Sequence, residues 1–269
     1  MRIIALSLFL LFASLRVPAQ RVGLAYWNVD RLYDTVASPF HRDDDFTPSG
    51  RMCWTSERYS RKISAVAAVI DSMSMPVTML YGVENESVVR DIAAACRGGY
   101  SYIHRTLNSL NGMDFALLYY GDLFIPDLIR TDRRSLCVGG TMLGRRVVFL
   151  MCRDAGDACR TVAEIRRSEP GTALIVAGRP DLASAESFGL ADAFAADERA
   201  GRGCRVCDGL WCMDERICID SSLRFSAAIY ARRYLFGAAG QAPEPTFDGR
   251  RYAGGASRWL PLTVSLCWP

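Results

Sequence analysis

The 269-residue sequence is short of the residues on which several kinds of chemistry depend. It contains two histidines, His41 and His104, and one lysine, Lys62. Imidazole is the usual general base near neutral pH and a common zinc ligand, so little material remains for His-based catalysis or His-rich metal sites. Arginine carries nearly all the positive charge, and a formal net charge of only +3 does not predict a strongly basic nucleic-acid surface.

Long apolar runs are absent after the first twenty residues, so we expect no transmembrane segment. The start of the chain combines Arg2, an apolar stretch over residues 3–15 and a small-residue ending at Ala19. This layout is typical of a secretory signal peptide. We therefore predict a signal peptide at residues 1–19, one domain at residues 20–269, and export to the periplasm or the medium.

The ten cysteines are compatible with export, because exported proteins commonly use disulfides to restrict the unfolded chain. Four of them are clustered: Cys204, Cys207, Cys212 and Cys218. Their spacing also admits a zinc site. An oxidising compartment and the uneven loops between them favour disulfides, whose connectivity the spacing leaves open.

Short apolar runs alternate with helical patterns along the chain. Strands are predicted at residues 22–29, 77–81, 115–120, 147–151, 173–177, 223–230 and 260–267. Helices are predicted after the N-cap residue Thr55, at residues 87–96 and at residues 158–167. Strands interleaved with helices indicate an α/β layered fold with large sheets. The Gly/Pro-rich residues 237–249 are interpreted as a loop, since too little chain follows to form a second domain.

Eight sequence blocks, in order, cover most of the chain after residue 24. They are AYWNVDRLYDT (25–35), DDDFTPSGRMCWTSERYSRK (43–62), LYGVENESVV (80–89), GMDFALLYY (112–120), VVFLMCR (147–153), LIVAGRPD (174–181), WCMDERICIDSSL (211–223) and YAGGASRWLPL (252–262). Together they resemble the endonuclease/exonuclease/phosphatase superfamily with its DNase-I-like fold, most closely its exported bacterial branch. The resemblance implies a four-layer α/β sandwich, in which two central sheets pack face to face between helices, with a site at one end of the sheets.

The resemblance also implies metal-assisted phosphoester hydrolysis. In that chemistry carboxylates and an asparagine hold Mg²⁺ or Mn²⁺, because hard dications prefer oxygen ligands, and an Asp/His pair activates water. The chain retains four polar residues of the family type: Asn28, Asp30, Asp114 and Asp214. Each is interpreted either as part of the site or as a structural hydrogen-bonding group.

The remaining family positions are substituted. Gly82 stands in place of the metal-binding glutamate, Cys152 after Met151 in place of a histidine, Arg179 and Asp181 in place of the Asp and Asn of the Gly-Asp-x-Asn turn, and Arg258 and Trp259 in place of the terminal Asp and His. Relative to the family, the replacement of the glutamate by Gly82 and of two aspartates by Arg179 and Arg258 makes the site more positive by about five charge units, and two like charges about 4 Å apart repel by roughly 4 kcal/mol. Arginine does not relieve this by losing its proton. We expect the metal site to be lost.

We therefore predict a catalytically inactive, exported family member with a binding or structural role and no cofactor. If the cleft is open, Arg179 and Arg258 are candidates for holding an anionic ligand. If Trp259 plugs the cleft, function moves to a surface loop or a protein partner.

Two alternatives remain open. The first is a weakened Mg²⁺- or Mn²⁺-dependent phosphodiesterase, nuclease or phosphatase, acting on nucleic acid or another phosphoester. Its metal ligands would be Asn28, Asp30, Glu84 and Asp214, although Glu84 is predicted rather to cap the helix that follows. The second is a cysteine-stapled extracellular module that uses residues 201–218 for recognition.

Overall fold

A computed structural model of the chain describes residues 20–268 except positions 108, 110 and 239. The predicted signal peptide at residues 1–19 lies outside the described residues and stays a prediction. Within the described range, no helix has the length and apolar character needed to cross a membrane.

The described chain alternates strands and helices. The helices are α1 (Ser56–Met73), α2 (Glu86–Ala95), α3 (Ala155–Ser168), α4 (Leu182–Ser187) and α5 (Ala195–Arg199). The strands are β1 (Gln20–Leu32), β2 (Val77–Val83), β3 (Ser101–Arg105), β4 (Asp114–Tyr119), β5 (Phe124–Asp132), β6 (Ser135–Met142), β7 (Arg145–Cys152), β8 (Ala173–Gly178), β9 (Leu190–Asp192), β10 (Arg205–Cys207), β11 (Leu210–Cys212), β12 (Arg216–Asp220), β13 (Arg224–Ile229), β14 (Phe247–Asp248), β15 (Arg251–Tyr252) and β16 (Leu262–Trp268).

Two six-stranded mixed sheets form the centre. Their strand orders are β13-β16-β1-β2-β4-β3 and β5-β6-β7-β8-β12-β9. Strand β1 runs parallel to β2, and β7 runs parallel to β8, while the other pairings within the sheets are antiparallel. The carboxyl ends of each parallel pair therefore lie at one edge of their sheet.

Three buried clusters define four layers. One fills the space between the sheets, a second joins α1 and α2 to the first sheet, and a third joins α3 and α4 to the second sheet. The predicted four-layer α/β sandwich is thus confirmed. Both faces of the central strands are buried, which explains why they read as continuous apolar runs.

Side chains alternate across each strand, and this alternation sets which residues face the space between the sheets. On β1, Leu24 and Tyr26 pack between the sheets, whereas Ala25 and Trp27 pack beneath the helices. On β7 and β8, the positions ending at Met151 and at Ala177 face the same interior. Residues that continue these inward rows emerge at one end of the sandwich.

Capping residues fix where the first two helices begin. The hydroxyl of Thr55 accepts a hydrogen bond from the Arg58 amide, which confirms its predicted N-cap role. Helix α2 is capped by Asn85, whose side-chain oxygen accepts from the Val88 amide at 3.1 Å. The prediction that Glu84 caps this helix is wrong, because Glu84 turns back to accept from the Asp34 amide at 2.7 Å.

The cysteines are mostly unpaired. One disulfide joins Cys207 to Cys212 across the β10–β11 hairpin. The other eight are free thiols, and four of these are buried among apolar side chains beneath the helices: Cys96, Cys137, Cys152 and Cys218. There they act as small hydrophobic residues. The expected use of disulfides is therefore confirmed for one pair, while the other cysteines are free thiols, and within the described residues the clustered cysteines do not come together as a zinc site.

Replacing Thr55 by alanine removes the N-cap hydrogen bond of α1. We expect a loss of about 1 kcal/mol in the free energy of unfolding, measured by urea denaturation. Ser60→Ala, at an exposed position inside the same helix, is the control and should not destabilise the chain, since alanine has the higher helix propensity. Equal effects of the two changes would contradict the capping role.

Candidate functional site

The inward rows of both sheets converge at one end of the sandwich. Asn28 continues the row of Leu24 and Tyr26 on β1, and Glu215 precedes the inward Ile217 of β12 by two positions. Arg153 continues the row of β7 in the same way. The strand periodicity therefore places an amide, a carboxylate and a guanidinium group at the same opening.

Glu215 is the most deeply buried charged group of this opening, with 1% of its surface exposed. Its Oε1 atom accepts a hydrogen bond from Asn28 Nδ2 at 2.7 Å and another from Arg153 Nη1. The Arg153 guanidinium lies over the Tyr81 ring, 4.2 Å from the centroid. Because Asn28 and Tyr81 belong to the first sheet and the other two residues to the second, these contacts link the sheets.

Asp214 neutralises a second group of arginines. Its Oδ2 atom accepts from Arg179 at 2.9 Å and from two nitrogens of Arg205 at 2.8 and 3.1 Å. Its Oδ1 atom accepts from the indole nitrogen of Trp259 at 3.2 Å. The predicted recognition segment, residues 201–218, thus contributes ion-pair partners to this end of the sheets.

Arg258 and Asp30 form a separate pair. Arg258 Nε donates to Asp30 Oδ2 at 3.1 Å, and a second guanidinium nitrogen donates to the Phe247 carbonyl. Beneath them, the Nζ atom of the buried Lys62 donates to the Asp30 carbonyl at 2.7 Å. Asp30 is therefore held by structural contacts rather than free to bind a metal ion.

A cavity of about 610 Å³ opens beside Arg153 and Arg179, the arginines that face Glu215 and Asp214. Its lining residues are Tyr81, Leu107, Ser109, Asn111, Met113, Arg133, Arg134, Arg153 and Arg179. Four of the nine are arginines and none is acidic. Of the predicted anion-binding pair, Arg179 lines this cavity and Arg258 does not; Trp259 is not part of the lining either.

Gly82, which stands in place of the family glutamate, has a backbone conformation and surroundings that favour glycine. Its φ angle is +90°, which favours glycine, and a Cβ atom there would lie 3.2 Å from Asn28 Oδ1. Asn28 instead accepts from the Asp30 amide with this oxygen and donates to Glu215 with its nitrogen. The retained asparagine is thus fully engaged within the protein.

Glu84 lies at a different opening. It is 2% exposed and lines a cavity of about 700 Å³ together with Asp34 and His41. Burial, with a further contribution from the neighbouring Asp34 and Asp43 carboxylates, raises the pKa of Glu84 to about 8. The structure therefore does not bring Glu84 to the arginine-lined cavity with Asn28.

Three other predicted positions have structural contacts. The Cys152 side chain is buried, which raises its thiol pKa to about 12, and its carbonyl accepts from the Arg179 amide. Asp181 precedes α4 and accepts from the Ser184 hydroxyl. Asp114 accepts from the Leu107 amide at 2.9 Å and contacts His104 Nε2 at 3.1 Å, which anchors the loop after β3.

The donor set does not fit Mg²⁺ or Mn²⁺. Over the described ranges, no group of three or more His, Cys, Asp or Glu side chains is placed to share a metal ion. At the arginine-lined opening, Asp214 and Glu215 already face guanidinium groups, which would repel a dication. The Oε2 atom of Glu215 has no hydrogen-bond partner, but a single carboxylate oxygen is too few ligands.

Sequence reasoning did not single out Glu215, Arg153, Arg133 or Arg134 as site residues. Glu215 follows the retained Asp214 directly, and its position two residues before Ile217 was a usable signal. Arg133 and Arg134 lie in a turn outside all eight blocks, and the sequence does not distinguish them from other surface arginines. Only the fold brings them to the cavity.

A sequence profile described as the Endonuclease/Exonuclease/phosphatase family matches residues 23–171. This match spans more than half of the chain, and the chain belongs to this family. The family membership inferred from the eight blocks is thereby confirmed. No curated protein sequence gives a significant match.

Solved structures of the same fold are similar over nearly their whole length. An endonuclease/exonuclease/phosphatase from Bacteroides vulgatus has a TM-score of 0.60 at 11% identity, covering 93% of this chain and 100% of that one. A mannosyl-6-phosphatase from Bacteroides thetaiotaomicron has 0.58 at 13%, covering 91% and 99%. D. rerio TDP2 complexed with a single-strand DNA product has 0.56 at 11%, covering 91% and 98%. At such identities the likeness shows the fold.

Two of the buried groups with displaced pKa values, Glu84 and Lys62, predict opposite pH effects on stability. Folded Glu84 keeps a proton that the unfolded chain loses between about pH 4.5 and about pH 8, so its contribution falls as pH rises through that interval. Burial lowers the pKa of Lys62 to about 7, so folded Lys62 is neutral where the unfolded chain is protonated. Its contribution therefore falls as pH decreases from about 10 to about 7.

Urea denaturation at about pH 5 and about pH 8 tests the Glu84 effect. Glu84→Gln should lose the part of the decline in unfolding free energy that the wild type shows between these pH values. Glu86→Gln, at an exposed neighbouring position, should keep it. A Glu84→Gln profile parallel to that of the wild type would show that Glu84 does not titrate in this range.

Proposed function

We propose that this family member does not hydrolyse phosphoesters and instead binds a small anion in the arginine-lined cavity, acting outside the cytoplasm after export. The observation that carries the proposal is the lining itself, in which four guanidinium groups and no carboxylate face a volume of about 610 Å³. Guanidinium groups suit phosphate and carboxylate because their planar fork matches two acceptor oxygens. Export rests on the sequence of residues 1–19 alone.

The electrostatics support binding rather than metal-dependent catalysis. Hydrolysis in this family is metal-assisted, and a dication needs several oxygen ligands in a region of negative potential. Here Asp214 forms ion pairs with Arg179 and Arg205, and Glu215 forms an ion pair with Arg153, so neither carboxylate is free to bind a metal ion. The same positive groups that exclude a metal ion attract an anion.

The alternative of a displaced hydrolase site has less support. Its four ligand candidates, Asn28, Asp30, Glu84 and Asp214, are directed to different partners, and Glu84 lines another cavity. Two proteins of similar fold are a mannosyl-6-phosphatase and a TDP2 complexed with a single-strand DNA product, but at 13% and 11% identity they carry no residue-level argument.

Calorimetric titration with inorganic phosphate tests the anion site. Arg179→Gln should weaken phosphate binding by about tenfold or more, because a charge-assisted hydrogen bond to the anion is removed while Asp214 keeps Arg205 as its partner. Arg224→Gln, which removes the same charge from an exposed position outside the cavity, should leave it nearly unchanged. Absence of phosphate binding by the wild type would refute the proposal.

A hydrolysis assay tests the loss of catalysis. We expect no turnover of p-nitrophenyl phosphate or its bis-ester by the wild type in the presence of Mg²⁺ or Mn²⁺. Turnover that disappears in Asp214→Ala or Glu84→Ala would restore the hydrolase alternative. Turnover that is unaffected by both variants but absent from a mock purification without this protein would also contradict the loss of catalysis, because it would place the activity at another site.

A further inference from the structure

The arginines of the cavity are arranged along the ends of three neighbouring strands. Arg134 immediately precedes β6, Arg153 immediately follows β7, and Arg179 immediately follows β8. The Arg153 amide donates to the Arg134 carbonyl at 2.9 Å, and the Arg179 amide donates to the Cys152 carbonyl at 2.9 Å. Sheet hydrogen bonding therefore fixes their backbones side by side.

This row is longer than a single phosphate requires. Neighbouring strands lie about 4.8 Å apart, so the backbones of Arg134 and Arg179 are separated by roughly 10 Å across β7. Arg133 adds a fourth guanidinium next to Arg134 in the two-residue turn between β5 and β6. We name Arg153 and Arg179 the inner arginines, and Arg133 and Arg134 the turn arginines.

The two pairs differ in how their charge is compensated. The inner arginines face the carboxylates of Glu215 and Asp214. Within the described part of the chain, neither turn arginine forms an ion pair. The β6–β7 register ends at the pair Ser135–Cys152, and the hydrogen bond from the Arg153 amide to the Arg134 carbonyl continues it by one residue, so that Arg134 lies opposite Arg153. Like charges at directly opposite positions destabilise an antiparallel pair. A counter-anion in the cavity would remove that repulsion.

We infer that the ligand is a small extended anion with at least two anionic groups, one bound by the inner arginines and the other by the turn arginines. The inference deepens the proposed function and rests on it. A single phosphate fills one end of a cavity of about 610 Å³ and leaves the turn arginines without a partner. A linear polyphosphate-like anion reaches both pairs, while Ser109 and Asn111 offer neutral hydrogen-bonding groups along the wall.

Calorimetry with inorganic phosphate and with linear tripolyphosphate tests the inference. The wild type should bind tripolyphosphate at least about tenfold more tightly than phosphate. The double variant Arg133→Gln/Arg134→Gln should lose most of this preference while its affinity for phosphate stays within about twofold. The turn arginines are exposed, so these changes leave the core intact.

A matched control separates local contact from long-range attraction. Arg224→Gln/Arg250→Gln removes the same two charges from exposed positions outside the cavity. It should keep the preference for tripolyphosphate. Equal affinities of the wild type for the two anions, or equal losses in both double variants, overturn the inference while phosphate binding still stands. Failure of phosphate to bind at all overturns the proposed function and the inference with it.

Discussion

The buried contact between Glu215 and Arg153 is the constraint on which this end of the molecule depends. A carboxylate with 1% of its surface exposed has lost nearly all contact with water and requires a positive partner and hydrogen-bond donors. Arg153 and Asn28 supply them, and the Tyr81 ring covers the outer face of the guanidinium. Since these residues come from both sheets, the charge requirement also holds the two sheets in register at their open end.

Arginine can bind a buried carboxylate and also line the cavity, because its guanidinium group has five N–H donors in one plane. Arg153 donates to Glu215 and still lines the cavity, with 18% of its side chain exposed. Arg179 donates to Asp214 and likewise lines the cavity. A lysine could not replace them with the same geometry, because an ammonium is a compact charge without a planar fork. The near absence of lysine from the chain is consistent with this use of arginine.

The sequence predicted the fold well because both faces of the central strands are buried. The runs at residues 147–151 and 173–177 have no polar interruption, and Thr55 marks the start of α1 without ambiguity. Strands β5 and β6 were missed because Pro126 and the Gly139–Gly140 pair interrupt the usual strand pattern, and β9 to β11 are only three residues each. The substitutions at the family positions are visible in the sequence. The carboxylates that pair with the new arginines could not be predicted, because a single sequence does not show which distant residues form a salt bridge.

The asymmetry between the two arginine pairs determines what each can contribute to binding. An anion next to Arg153 or Arg179 competes with a carboxylate that already binds the same guanidinium group. The inner arginines therefore orient the anion but attract it less strongly than unpaired arginines would. The turn arginines lose no internal partner on binding, but their exposed side chains are screened by salt and must be ordered by the ligand. Neither pair alone makes a strong site. An anion that spans both pairs is oriented by the inner arginines and attracted by the turn arginines, whose charge no carboxylate compensates. The two pairs differ in this way because Asp214 and Glu215 lie next to the inner arginines only.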